Sequence, residues 1–192
     1  MIVCFIGHRV VAEAEQLKIC LIETVSRLIS DGADTFLFGS RSEFDDLCWE
    51  IVTEMQKQHP NIKRIKYTAP YESSFTSQEE RKRFEQVVLQ LTGKEINCKD
   101  YESAVTSQKS ANATKNTYVM RNQDMIDNSD VCVFYYNKEY LPPRRKQAKR
   151  NVTDYQPQSG TAVAYIYAKR KNKKIINLCQ TELAKLYLAW VV

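Results

Sequence analysis

An α/β domain built on an open, mainly parallel, five-stranded sheet with helices on both faces is the fold class this sequence predicts. Two observations carry that expectation. Strand-like and helix-like hydrophobic patterns alternate along the chain, the order that builds a parallel sheet with crossover helices. The 192 residues also suffice for one well-buried core and are short for two. A single domain over 1–192 is expected, with loop insertions at about 93–116 and 137–158.

Each element has its own signal. Ile2–Ile6 is apolar, is cut off by Gly7, and reads as the first strand. Leu17, Leu21, Val25, Leu28 and Ile29 share one face of a helix from about Glu13 to Ser30, which Asp31-Gly32 ends. Thr35–Phe38 is a short buried strand stopped by Gly39. Ser42-x-x-Asp45 resembles a capping box opening a helix with Phe44, Leu47, Cys48, Ile51 and Met55 inward. Ile62–Ala69 is the third strand. Thr76-x-x-Glu79 caps a helix expected to turn Phe84, Val87, Val88 and Leu91 inward. The polar stretch 93–116 reads as a long loop, followed by a helix over about Tyr118–Asn128 and a strand over Val131–Tyr135. After the basic, proline-bearing loop at 137–158 come a helix over Gly160–Arg170, a strand over Lys174–Leu178 and an amphipathic helix marked by Leu183, Leu186, Tyr187 and Trp190.

Composition excludes several classes. With 43% hydrophobic and 27% charged residues the chain is neither disordered nor fibrous. No apolar run approaches the ~20 residues of a membrane-spanning helix, and the first residues lack the basic start of a signal peptide. The six cysteines, at 4, 20, 48, 98, 132 and 179, show no metal-type spacing, and both histidines lie apart from any cysteine pair. No metal and no cofactor are expected, and free thiols in apolar stretches fit a cytoplasmic protein. The net charge of +5 is largely local, in Arg144-Arg145-Lys146-Gln147-Ala148-Lys149-Arg150 and in Lys169-Arg170-Lys171-Asn172-Lys173-Lys174. A solvated loop and a solvated helix end account for both clusters.

In open parallel sheets, ligands collect beyond the carboxyl ends of the strands where strand order reverses. Four suggestive segments fall at such ends or open the adjoining helices. Gly7-His8-Arg9 follows the first strand; the glycine permits a tight turn, and Arg9 offers a planar fork for phosphate. Gly39, Ser40, Arg41 and Ser42 lead into the second helix, whose free N–H groups attract anions. There Glu43 and Asp46 read as first-turn acids that compensate the helix dipole, and Asp45 as a ribose ligand or an acid–base group. Ser159-Gly160-Thr161 opens a helix with small residues in its first turns and is the strongest phosphate cradle. The helix before the fourth strand carries Arg121, Asn122 and Asp124, with the turn Asp127-Asn128-Ser129-Asp130 after it.

In order and placement these motifs resemble the SLOG superfamily, a Rossmann-like group named after the DNA-processing protein DprA and the LOG phosphoribohydrolases, and they are nearest its YpsA-type branch. The resemblance spans about residues 2–178 and rests on Ile6-Gly7-His8-Arg9, Gly39 through Phe44-Asp45, Arg121-Asn122 with Met125-Ile126-Asp127 and Ser129-Asp130, and Ser159-Gly160-Thr161 with Tyr167-Ala168-Lys169. Ser159 replaces the first glycine of the usual Gly-Gly-Thr and leaves the second. The glutamate that LOG hydrolases carry after Gly-Thr is replaced by Ala162-Val163-Ala164-Tyr165, which argues against phosphoribohydrolase activity.

The resemblance implies a binder or sensor of a nucleotide or an ADP-ribose-like signal, of the kind met in bacterial signalling and defence. An N-glycosidic-bond hydrolase or transferase is the alternative and would draw its carboxylate from Asp45, Glu43 or Asp124. Single-stranded nucleic-acid binding is the third reading, with phosphate contacts from Arg144–Arg150 and stacking on Tyr135, Tyr136, Tyr140 and Tyr155. The expected partner is a nucleotide-type small molecule; nucleic acid and a second copy of the chain stay open, and no membrane is implied.

Overall fold

The alternating pattern resolves, in a computed structural model, into six parallel strands in the order β4-β3-β2-β1-β5-β6. Residues 1–39, 42–70, 72, 74–113, 116–140 and 159–179 are described. In chain order they form β1 (Ile2–Gly7), α1 (Ala14–Ser30), β2 (Thr35–Phe38), α2 (Glu43–Gln56), β3 (Lys63–Thr68), α3 (Gln78–Thr92), β4 (Ser103–Thr106), α4 (Gln108–Ala111), α5 (Thr117–Asp127), β5 (Val131–Tyr135), α6 (Gly160–Arg170) and β6 (Lys174–Asn177). The segment around Leu183–Trp190 and most of the loop at 137–158 lie outside the described residues. Among the described residues no helix is long and apolar enough to cross a membrane.

Topology follows from handedness. The chain steps outward from β1 to β4, then returns to the other side of β1 with β5 and β6. Right-handed crossovers in opposite directions place their helices on opposite faces. Side chains of β1 alternate accordingly. Val3 and Phe5 face the core shared with Leu21 and Val25 of α1 and Phe44 and Cys48 of α2. Cys4 and Ile6 face Met125 and Ile126 of α5 and Ala164 and Ala168 of α6. The switch point therefore falls between β1 and β5, whose register pairs Gly7 with Tyr135.

Three expectations are corrected. The polar stretch 93–116 contains the sixth strand, β4, and the short helix α4. β4 carries no apolar signal because it is an edge strand with exposed side chains, held instead by charge: Glu102, just before it, grips the buried Arg64 guanidinium of β3 at 2.7 Å. The cap of α3 is Ser77, whose hydroxyl accepts the Glu80 N–H, one residue later than the Thr76 pattern predicted. The α3 apolar row is not inward: the helix has no buried residue, and Phe84, Val87 and Leu91 are exposed. Ser42 caps α2 as expected, accepting the Asp45 N–H at 3.1 Å.

Glycines at the strand ends separate packing from open space. A Cβ on Gly7 would lie 2.6 Å from Phe44 Cβ, whereas one on Gly160 would meet nothing within 4 Å among the described residues. Gly7→Ala is therefore expected to cost about 1–3 kcal/mol by overpacking. Gly160→Ala should leave stability within about 1 kcal/mol of the wild type, or raise it, since alanine suits a helix better. Urea denaturation of both variants checks this, and equal losses would contradict it.

Candidate functional site

At the switch point, α6 begins directly above the end of β1. Ser159 caps it by accepting the Ala162 N–H at 3.1 Å, and the Thr161 hydroxyl donates to Gly7 O at 2.9 Å. These bonds fix the helix start against β1, and among the described residues they leave the Gly160 and Thr161 N–H groups without an acceptor. A helix N-terminus in that state is an anion site by geometry and by dipole.

His8 forms the floor beside it. The ring is buried, stacks on Tyr140 with centroids 4.0 Å apart, and accepts the Asn137 N–H on Nε2 at 3.0 Å. The same nitrogen lies 3.3 Å from Asn137 O. The shorter contact decides the tautomer, because a proton on Nε2 would point at that N–H. Burial also lowers the ring pKa, with the carbonyl contact acting the other way, so the neutral ring carries its proton on Nδ1. Nδ1 is buried and has no hydrogen-bond partner among the described residues. Arg9 is exposed on the rim, and its carbonyl accepts the Glu43 N–H at 3.0 Å.

A second cluster of polar groups lies beside the end of β2, with Lys66 from within β3 and Tyr101 from just before β4. Asp45, 1% exposed, accepts the Gly39 N–H on Oδ1 at 3.4 Å, while its Oδ2 has no hydrogen-bond partner among the described residues and lies 3.8 Å from Lys99 Nζ. Burial pushes this carboxyl up, against the pull of Lys66, Lys99 and Arg121. Lys66, 8% exposed, holds its ammonium over the Tyr101 ring, 5.5 Å from the centroid, and burial lowers its pKa. The buried Tyr101 hydroxyl also lacks a hydrogen-bond partner among the described residues. A Cβ on Gly39 would run into Met125 Sδ and lie 2.9 Å from Arg121 Nε, so α5 packs against a strand end that has no room for a side chain.

The other candidates are engaged structurally. Arg121 Nη1 donates to both carboxylate oxygens of Glu72, at 3.1 and 2.9 Å, and Nη2 donates to Asn122 Oδ1 at 3.3 Å, while Nε has no hydrogen-bond partner among the described residues; Glu72 also accepts the Ala69 N–H. Glu43 accepts the Val11 N–H at 2.8 Å and ties the loop after β1 to α2. Asp124 accepts from the Ser107 hydroxyl at 2.7 Å and from Lys109 N–H at 3.3 Å. The structure thus gathers Gly7, His8, Arg9, Ser159, Gly160 and Thr161 at one end of the switch point, and Gly39, Ser42, Asp45, Arg121 and Asn122 beside it. Ser40, Arg41 and the Arg144–Arg150 cluster lie outside the described residues. Lys66, Tyr101, Glu72 and Asn137 were missed by sequence reasoning. Lys66 left a signal: Arg64, Lys66 and Thr68 alternate on one face of β3, and all three are buried.

Asp45 gives a pH test. Its raised folded-state pKa means the native state holds the proton more tightly than the unfolded chain. Its contribution to stability is thus present below the unfolded value of about 3.9 and is lost as pH rises through the folded value. Asp45→Asn should gain stability relative to the wild type as pH rises from about 4 to about 7. Urea titrations across that range read the difference; a constant gap would contradict the burial argument.

The chain matches the YspA SLOG family (YpsA) over residues 8–171, a span that starts just after β1 and takes in the start of α2, α5 and α6. No curated protein matches it. Because that match covers most of the chain, and the sheet is open and parallel as in Rossmann-like folds, the chain belongs to the YspA SLOG family.

Proposed function

We propose that the protein binds a nucleotide or a nucleotide-derived, ADP-ribose-like phosphate ligand as a sensor or binding protein, in the cytoplasm, within bacterial signalling or defence. The observation that carries this reading is the start of α6. Among the described residues, the Gly160 and Thr161 N–H groups have no acceptor and a Cβ on Gly160 would meet nothing within 4 Å, while a buried histidine donor lies at the adjoining end of β1. A phosphate oxygen supplies acceptors for both amides and lies in the favourable field of the helix dipole. Arg9, exposed on the rim, adds a charge-assisted contact.

The N-glycosidic alternative gains one point from the geometry. Of its three carboxylates, Glu43 and Asp124 are held by structural hydrogen bonds, and Asp45 alone keeps a buried oxygen without a hydrogen bond. The binding reading remains stronger, because no carboxylate follows Gly160-Thr161 on the first turn of α6.

Calorimetry with ADP-ribose and with adenosine 5′-monophosphate tests the proposal. Gly160→Asp should abolish binding by bulk and charge, with little change in melting temperature, since aspartate is tolerated at a helix N-terminus. Arg9→Ala should weaken binding by about 1.5–3 kcal/mol. Unchanged affinity in both variants would place the ligand elsewhere.

A further inference from the structure

Two buried cysteines take no part in the phosphate site. Cys4 of β1 and Cys132 of β5 are in-register neighbours on adjacent parallel strands, and both side chains belong to the core that α5 and α6 cover. Neighbouring strands lie about 4.8 Å apart, and a disulfide bridges Cα separations of roughly 4.4–6.8 Å. The two sulfurs thus lie side by side at a spacing that a bond can close.

The company of the pair is polar for a hydrophobic core. The Ser129 hydroxyl, at the turn into β5, donates to Cys4 Sγ at 3.3 Å and lies 3.4 Å from Cys132 Sγ. Lys173 Nζ is held beside the same turn, donating to Ser129 O at 2.6 Å and to Asp127 O at 3.1 Å. Burial alone pushes a thiol up, as it does at the fully buried Cys48. At Cys132 the hydrogen bond from Cys4 outweighs burial and, with Ser129 and the charge of Lys173, holds the thiol below its ordinary value. Cys4 is pushed well up by burial and keeps its proton. Core packing explains why either cysteine is buried. It does not explain their register, nor the hydroxyl and ammonium beside them.

We infer that Cys4 and Cys132 form an oxidisable dithiol, a modification site for hydrogen peroxide that joins β1 to β5 as a disulfide. The Cys132 thiolate attacks one peroxide oxygen, the O–O bond breaks, and the leaving hydroxide takes up the proton that Cys132 released. Cys132 is then a sulfenic acid. The Cys4 sulfur attacks the sulfenic sulfur; the S–S bond forms, the S–O bond breaks, and the hydroxyl leaves as water with the Cys4 proton. The two thiols give up two electrons in all, and one peroxide becomes two waters. Both sulfurs are fully buried, so peroxide reaches them through local opening. The bond clamps the two strands whose carboxyl ends frame the switch point.

The test treats the folded full chain with hydrogen peroxide, removes the peroxide with catalase and blocks the remaining thiols with N-ethylmaleimide in urea. Mass spectrometry of the proteolytic peptides should find a pair joined through Cys4 and Cys132, lighter by two hydrogens than the separate peptides and parted by dithiothreitol. Dimedone should trap a sulfenic acid at Cys132 in Cys4→Ser, and none at Cys4 in Cys132→Ser; the reverse pattern would overturn the order of attack. A wild-type chain in which both cysteines stay open to N-ethylmaleimide, or are joined to other cysteines, would overturn the inference. Linkage that forms only when peroxide is added to urea-unfolded protein would overturn it as well, because the native register would then play no part.

Discussion

The architecture at the strand ends depends on how closely two helices approach Gly7. From one face Phe44 of α2 presses on its Cα, where no Cβ could fit. From the other, the Thr161 hydroxyl of α6 bonds its carbonyl at 2.9 Å. One residue therefore sets the height of both helices over β1. That contact fixes the start of α6 over the end of β1, and the start of α2 is brought close enough for Asp45 to reach Gly39 N–H. The loop between them is tied down by Glu43, which accepts from Val11 while its own N–H donates to Arg9 O.

Charge is distributed along the same edge according to two rules. Where ions are paired with good geometry they are structural. Arg121 with Glu72 and Arg64 with Glu102 are buried or half-buried pairs whose hydrogen bonds offset desolvation, and removing one partner of such a pair commonly costs about 3–5 kcal/mol. Asp45 and Lys66 are buried in weaker company, Asp45 with the Gly39 N–H at 3.4 Å and Lys99 at 3.8 Å and Lys66 with the face of Tyr101, so the cost of burying their charges is offset less well. Costs of that kind gather at functional sites, and the two groups lie one and two strands from the Gly7 contact.

Much of this was legible in the sequence. Alternation of patterns gave the parallel sheet, and Ser42, Gly7 and Ser159-Gly160-Thr161 announced the helix starts and strand ends where the structure has them. β4 was not legible, because an edge strand held by Arg64–Glu102 has no apolar rhythm to detect. The orientation of α3 was misjudged because Phe84, Val87 and Leu91 have helical spacing whether or not anything covers them. The pairing of Arg121 was not legible, since its partner Glu72 is 49 positions away and no local pattern links them. Lys66 was overlooked within an apparently apolar strand, although its period-two alignment with Arg64 and Thr68 marks a polar, buried face.

The central claim is that a nucleotide phosphate binds where α6 meets β1. Amide chemical shifts of the ¹⁵N-labelled protein, followed during titration with adenosine 5′-monophosphate, test it most directly. The account predicts the largest shifts at Gly160, Thr161 and His8, with smaller ones at Gly39 and Asp45 and none along the remote helix α3. Shifts concentrated on α3 or β4, with Gly160 and Thr161 unmoved, would contradict it.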